Sequence, residues 1–479
     1  MLGSHADRQQ QPTASLSTSS NLLHPASIIR MSRQIVIDAS PPPYHGSLQE
    51  PLDRNAFQKS INILAARTPP AKTGFVLKAP VMRGALMNLP KIRSVDVDPS
   101  NPDGERLVLL RVSNEAELSP EALDFLKAEA KGLVPYTLHL DYDYWTSDEI
   151  LQVVLPEELR DGSPSGFAAT GHIAHVNLNE EYLPYKHLIG QLIMDKNKKI
   201  KTVVNKLDSI DTQFRFFKME LIAGEPNYVV EHHESECRFT FDFTQVYWNS
   251  RLHTEHSRLV ELFHPEDVIA DVFAGVGPFA IPSAKKGCAV FANDLNPNSA
   301  KYLTINVQNN RVNDLVRVSC EDGRQFIRAV VRRSLEEPFP AYTGPKTSRT
   351  KQENEARRKR QQGNSSSSLA PSFPRKRIAH FVMNLPDSAI TFLDAFRGVL
   401  ASDDLKEVYD VMPMIHCHCF TRELEPDRAE ADIRKRVEEK LGSALASDVS
   451  LHLVRSVAPN KEMYCISFRL PSEVAFSTS

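Results

Sequence analysis

Cysteine is scarce in this chain of 479 residues. The six thiols, Cys237, Cys288, Cys320, Cys417, Cys419 and Cys465, are scattered without regular spacing. That excludes a disulfide framework and fits a reducing compartment. Long apolar runs are missing too. None approaches the roughly 18 residues that cross a bilayer, which removes helical membrane proteins. Nor does one sign of charge dominate. The formal net charge is −3, so the chain as a whole is no polycation, although a local basic face can still bind nucleic acid. What is present, 41% hydrophobic and 24% charged residues, is the balance of a soluble globular protein. The length exceeds one ordinary domain and predicts two or three.

Residues 1–53 are rich in Ser, Gln and Pro and poor in periodic apolar positions, which predicts a disordered extension. Its first 30 residues hold six serines, two arginines and one acid, the bias of a mitochondrial transit peptide, and Met31 offers a second start. Residues 54–134 read as a small mixed domain. It has a strand at Arg106–Val112 and a helix at Pro120–Ala130, capped by Ser119. Residues 135–246 read as a middle α+β domain. Strand-like runs lie at 136–144, 172–178, 201–204, 228–232 and 238–243, and Thr146-Ser-Asp-Glu149 is a capping box.

Residues 247–479 alternate strand and helix. Strands are expected at 268–273, 289–293, 316–319, 378–384, 408–417, 451–457 and 464–470. This predicts an α/β fold, a doubly wound Rossmann-like sheet of seven strands. The connection between the last two is too short for a helical crossover, so they should pair antiparallel. That is the order of class I methyltransferases. Residues 336–376, with Arg357-Arg-Lys-Arg360 and Ser365-Ser-Ser-Ser368, break the rhythm and read as a disordered insertion. Its basic run suits a nuclear address, a contact with nucleic acid or a solvated loop. His416-Cys417-His418-Cys419 has the composition of a metal cluster. Neighbours on a strand point to opposite faces, however, so the four cannot converge on one ion, and no metal is expected.

The chemistry-bearing segment is Asp271-Val-Phe-Ala-Gly275-Val-Gly277-Pro-Phe279, which leaves a strand and opens a helix. Gly275 and Gly277 let a ligand approach the backbone where a Cβ would collide. Ala280 replaces the third glycine of a dinucleotide fingerprint. Asp294, in Asn293-Asp-Leu295-Asn-Pro297, suits the two hydroxyls of a ribose. Up to this point nicotinamide and S-adenosylmethionine fit equally. Two later features favour S-adenosylmethionine. Glu321-Asp322-Gly323 follows the third strand, where methyltransferases set an acid beside the adenine amino group. Asn384-Leu-Pro386-Asp387 ends the fourth, where amino-methylating enzymes hold the acceptor nitrogen with an amide and rigid carbonyls.

With these motifs the chain resembles the eukaryotic and archaeal tRNA (guanine-37 N1)-methyltransferase family. The resemblance runs from about residue 135 to the end. It is carried by Gly171-His-Ile-Ala-His-Val-Asn-Leu178, Arg215 with Glu220-Leu-Ile-Ala-Gly224, Tyr247-Trp-Asn-Ser-Arg251 with Glu255, and the motifs above. It implies methyl transfer from S-adenosylmethionine to N1 of guanine 37, beside the anticodon. The partner would be tRNA, gripped by the N-terminal and middle domains, and the enzyme a monomer of cytoplasm, nucleus and mitochondrial matrix. Carried over by motif position, the cofactor contacts are His256, Asp294, Leu295, Asp322, Gly323 and Asn384, with Asp271, Gly275 and Gly277 as the cradle. Arg215, Glu255 and Asn384 take the catalytic places. The chemistry suits them. Guanine N1 carries a proton that a base such as Glu255 must remove, and a guanidinium such as Arg215 can hold the charge that spreads onto O6. Tyr247 and Trp248 suit either stacking on an extruded base or burial. The rivals are methylation of another nucleobase or a protein amide, an NAD-dependent oxidoreductase, and a tRNA-binding protein with an inactive fold.

Overall fold

The structure, a computed structural model, describes residues 36–48, 51–210, 217–344, 373–446 and 448–478. Arg215, the proposed transit segment and the middle of the insertion lie outside the described residues.

The chain divides into two compact units. The first holds a four-stranded antiparallel sheet in the order 95–97, 106–109, 59–68, 132–140. Helices Pro70–Lys78 and Pro120–Glu129 contribute Val76, Ala122 and Leu126 to its core, against Leu64, Ala66 and Val108. Ser119 caps the second helix by accepting from the Ala122 N–H at 3.2 Å. The strand Gly132–Leu140 corrects the boundary expected after residue 134. It pairs with 59–68 along its full length and so belongs to this unit. Its polar alternation looked like the start of the next domain because one face of this sheet is exposed.

The second unit holds the middle segment and the C-terminal domain. The capping box is made in both directions: Thr146 accepts from the Glu149 N–H, and Glu149 accepts from the Thr146 N–H. A four-stranded sheet runs 168–170, 173–176, 202–210, 217–224. Only its central pair is parallel, bridged by the crossover helix Lys186–Lys196. A hairpin, Val229–Glu234 with Cys237–Asp242, follows. One apolar cluster joins Ile173, Val204, Phe239 and Phe241 to Ile269, Phe279 and Val290, so the middle segment and the C-terminal sheet bury a common core. The expected disorder through residue 53 also stops early. Leu52 is buried and its N–H donates to Gln191 Oε1 at 2.8 Å.

The C-terminal sheet has seven strands in the order 316–319, 289–293, 268–271, 378–383, 414–421, 461–469, 449–458. The first five are parallel. Lys461–Arg469 is antiparallel to both its neighbours, as the short connection predicted. The central strands 268–271 and 289–293 are buried throughout, as parallel strands covered on both faces must be. One strand departs from expectation. Residues 403–408 are helical and the strand starts at Met414. Asp403 and Asp404 favour a helix start, and Pro413 breaks the apolar run that had looked continuous.

The insertion is shorter than its composition suggested. Helix Gly323–Glu336 is followed by a bridge in which Phe339 and Arg375 exchange backbone hydrogen bonds of 3.0 and 2.9 Å. Arg375 is buried and donates to the carbonyls of Pro340, Pro265 and Gly287. This clasp ties the two ends of the insertion together. Deleting residues 348–372 should therefore leave methyl transfer in vitro within about tenfold of wild type. A larger loss at saturating tRNA, beyond roughly 1.4 kcal/mol of barrier, would place the loop in the site.

Candidate functional site

The C-terminal ends of the parallel strands gather the expected motifs. At the first, Val272 N–H donates to Val382 O and Ala274 N–H to Asn293 O, so the chain leaves the sheet still tied to both neighbours. Gly275 then adopts φ 55° and Gly277 φ 101°, both left-handed values that favour glycine. A Cβ on Gly277 would stand 2.7 Å from Leu303 Cδ1, so its role is close packing under the loop. At Gly275 the surroundings are the opposite: apart from the glycine and its two chain neighbours, no atom lies within 4 Å of the place for a Cβ. That opening is where a ligand can lie along the backbone.

Asp294 faces this loop. Its Oδ2 accepts from the Gly275 N–H at 2.8 Å and its Oδ1 from the Asn296 N–H at 2.9 Å. Leu295 beside it is exposed. At the third strand end Asp322 caps helix Gly323–Glu336, accepting from the N–H groups of Arg324 and Gln325. Gly323 packs against Phe273 and Phe392, where a Cβ would come within 2.8 Å of the Phe273 ring. Glu321 does not face the site freely; Arg333 holds it by two hydrogen bonds of 2.5 and 2.8 Å. Asn293 is the residue that motif reading missed. Its Nδ2 donates to Val272 O and Glu321 O, and its Oδ1 accepts from Glu321 N–H and Ser319 Oγ–H. One buried amide thus fixes three strand ends relative to one another. A buried polar residue at the last position of an apolar strand was the available signal.

Two unsatisfied groups point to a ligand. Both Asp271 carboxylate oxygens are buried and without a hydrogen-bond partner, and so is Asn384 Oδ1. Burial, with the Asp294 charge adding to it, pushes the Asp271 pKa up to about 8. Polar atoms left in this condition are rare unless something else completes them. Beyond Asn384, the backbone of Pro386 is fixed by the Phe420 N–H at 3.1 Å. An open cavity of ≈ 430 Å³ beside Pro386 and Asp387 is lined by Arg422, Arg436 and Lys461 among others.

Glu255 and His256 sit in the first turn of helix His253–Leu262. Glu255 is not an exposed helix-start acid; it is 2% exposed. Arg258 Nε and Nη2 donate to its two oxygens at 2.6 and 2.7 Å, and His418 Nε2 lies 2.7 Å from Oε1. Burial alone would raise its pKa, but the Arg258 and His418 hydrogen bonds prevail and bring it down to about 2. His256, also 2% exposed, has its Nδ1 2.6 Å from Glu234 Oε1 and its ring edge-to-face with Phe279 of the glycine loop at 4.8 Å. The site therefore brings together Asp271, Gly275, Gly277, Asp294, Asp322, Gly323 and Asn384 at the strand ends. Glu255 pairs with His418, and the rings of His256 and His418 both lie against Phe279 of the glycine loop. Trp248 is buried among Phe239, Phe241 and His232, which settles it as packing, whereas Tyr247 is exposed.

The His-Cys-His-Cys run alternates as a strand must. Cys417 and Cys419 join one core face, while His416 and His418 point to the other, towards Ser467 and Glu255. Among the described residues, one group has metal-ligand spacing: Glu255, His418 and Cys465, whose ligand atoms lie within 4.8 Å of one another. Arg258 already occupies both Glu255 oxygens, so a cation there would have to displace a guanidinium.

Two domain families match the chain: the TRM5/TYW2 methyltransferase domain over residues 230–335 and the TYW2 N-terminal domain over residues 147–227. A tRNA (guanine(37)-N(1))-methyltransferase from Coprinopsis cinerea is 63% identical over 454 residues, covering 93% of this chain and 99% of that protein. Its namesake from Schizosaccharomyces pombe is 43% identical, covering 89% and 95%. Among solved structures, Trm5b from Pyrococcus abyssi matches with a TM-score of 0.54 at 24% identity, covering 85% of this chain and 99% of that one. The protein chain of a complex of aTrm5 with tRNALeu gives 0.55 at 18%, covering 85% and 100%. At these identities the two structures speak for the fold.

Proposed function

The chain belongs to the tRNA (guanine(37)-N(1))-methyltransferase family and is an S-adenosylmethionine-dependent enzyme that methylates N1 of guanine 37 in tRNA; from that premise we propose how its own residues do so. The observation that carries the proposal is the coincidence, at one set of strand ends, of the open backbone at Gly275 with the unsatisfied Asp271 and Asn384. S-adenosylmethionine, when bound, supplies an activated methyl group on a sulfonium. Asp294 would hold the ribose, Asp322 with Gly323 the adenine edge, and Leu295 would cover the base. His256, edge-to-face with Phe279 of the loop, would add a contact. The Asn384 amide oxygen would accept from the guanine, orienting N1 towards the methyl carbon. Glu255 would take the N1 proton, and Arg215 would hold the charge spreading onto O6. Incubating unmodified tRNA transcripts with the enzyme and S-adenosylmethionine, then analysing nucleosides by mass spectrometry, tests the product. Methyl groups on any position but N1 of guanine 37 would overturn it.

Asp294→Ala should raise the dissociation constant for S-adenosylmethionine at least tenfold, because the ribose loses a charged acceptor worth roughly 1.5–3 kcal/mol. Its two backbone hydrogen bonds also fix the loop, so calorimetry must be run on protein with a native circular dichroism spectrum. Wild-type affinity there would remove Asp294 from the cofactor site. We also propose that initiation at Met1 directs the protein to mitochondria and initiation at Met31 to cytosol and nucleus, given the Ser-rich, acid-poor residues 1–30. A reporter carrying residues 1–45 that stays wholly cytosolic would defeat the import half.

A further inference from the structure

We propose that Glu234, on the hairpin preceding the catalytic helix, is a positioning residue for cofactor binding: it holds the His256 imidazole with Nε2 as the ring atom left for the ligand. The inference rests on the reading of His256 as a cofactor contact. His256 Nδ1 lies 2.6 Å from Glu234 Oε1. A carboxylate can only accept, so the Nδ1 hydrogen points at Glu234. No hydrogen bond from Nε2 is made among the described residues. In the neutral ring Nε2 is then an acceptor, and the cofactor carries donors of two kinds, hydroxyls and an ammonium. Histidines that bind metals are oriented in the same way by a carboxylate on the far nitrogen.

The surroundings leave Glu234 little else to do. Its side chain is only 7% exposed. Burial would favour its neutral form, but the His232 and His256 rings beside it outweigh burial and hold its pKa down. Oε2 is buried with no hydrogen-bond partner, and His232 Nε2 lies 3.8 Å from it. A carboxylate kept charged in such a place, with one oxygen unspent, costs stability. Its tight contact is with His256, and His256 in turn touches the ring that closes the glycine loop. The arrangement is what a fixed imidazole requires and more than packing needs.

The test is a double-mutant cycle on the dissociation constant for S-adenosylmethionine, read by calorimetry, with tRNA affinity as the control for folding. Glu234→Ala and His256→Ala should each weaken binding about tenfold, and the double variant should bind no worse than His256→Ala. Glu234→Gln keeps an acceptor oxygen and should stay within about threefold of wild type. Nitrogen-15 shifts should report the Nδ1–H form of His256 in the wild type and in Glu234→Gln, and a mixture in Glu234→Ala. If His256→Ala weakens binding while Glu234→Ala does not, or if the two losses add, Glu234 does not act through His256 and the proposal falls alone. If His256→Ala binds as wild type, the cofactor contact itself is wrong and the proposal falls with it. Glu234→Gln as weak as Glu234→Ala would also overturn it.

Discussion

Glu255→Gln should slow the single-turnover methyl transfer roughly 100-fold or more, while the dissociation constants for tRNA and S-adenosylmethionine stay close to wild type. The substitution keeps volume and one acceptor oxygen for His418 and Arg258 Nη2, and removes the basic carboxylate and its second bond to Arg258. Arg258 loses its charged partner but is 27% exposed at the side chain, so water can compensate it. Saturating enzyme isolates the chemical step, because product release no longer enters. The pH profile adds a second reading. A carboxylate of ordinary pKa would contribute its own rise in rate as it ionises. Held at about 2 by Arg258 and His418, Glu255 is already ionised across the working range. The wild-type rate should therefore climb with pH only as the guanine proton becomes easier to lose, without a carboxylate inflection. A base of so low a pKa is a weak one, so to act as the N1 base Glu255 would have to leave these hydrogen bonds partly as guanine enters. Wild-type single-turnover transfer by Glu255→Gln would make Glu255 a structural ion-pair acid, and Asp387 the next base to examine.

The strand ends were legible because their requirements are local. Gly275 and Gly277 are needed for backbone conformation, and Asp294 and Asp322 bond to amides two or three residues onward or in the adjoining loop. Each leaves a short signature in the sequence. The antiparallel last pair was legible for the same reason: two residues, Pro459 and Asn460, cannot hold a crossover helix. What was not legible is made by pairs far apart in the chain. Glu255 reads as a helix-start acid until His418, 163 residues away, is seen beside it. His418 itself was set aside with the metal reading, and Glu234 carries no motif at all. The clasp of Phe339 with Arg375 is hidden by its surroundings, because composition is averaged over a window and a single buried bridge is not. Arg258 was the one missed partner within reach. It stands three residues after Glu255 on one helix, the spacing at which opposite charges meet.

Arg258→Met should lower the free energy of unfolding by about 2–4 kcal/mol at neutral pH. The apolar stem is kept, but Glu255, 2% exposed, is left with His418 at 2.7 Å and His452 only at 3.7 Å. Removing one partner of a fully buried pair costs roughly 3–5 kcal/mol; the partial exposure of Arg258 and the surviving His418 bond reduce that. The pH dependence follows from the direction of the shift. Folding lowers the Glu255 pKa from 4.5 to about 2, so the ion pair stabilises the wild type above the ordinary carboxylate value. That stabilisation is lost as pH falls through the folded value. Without Arg258 the buried carboxyl must rise, because burial then meets less opposition. The deficit should be largest at pH 7 and smaller at pH 4, where the variant already carries the proton. Urea midpoints at the two pH values, with unchanged slopes, measure it. A deficit equal at both, or below about 0.5 kcal/mol, would mean that the guanidinium does not hold Glu255 as charged. The same change reaches catalysis. Freed from its tightest partner, Glu255 becomes a stronger base, so the methyl-transfer profile of Arg258→Met should gain the carboxylate inflection that the wild type lacks. The double variant with Glu255→Gln should lose that inflection again, which ties it to Glu255 and to no other acid in the site.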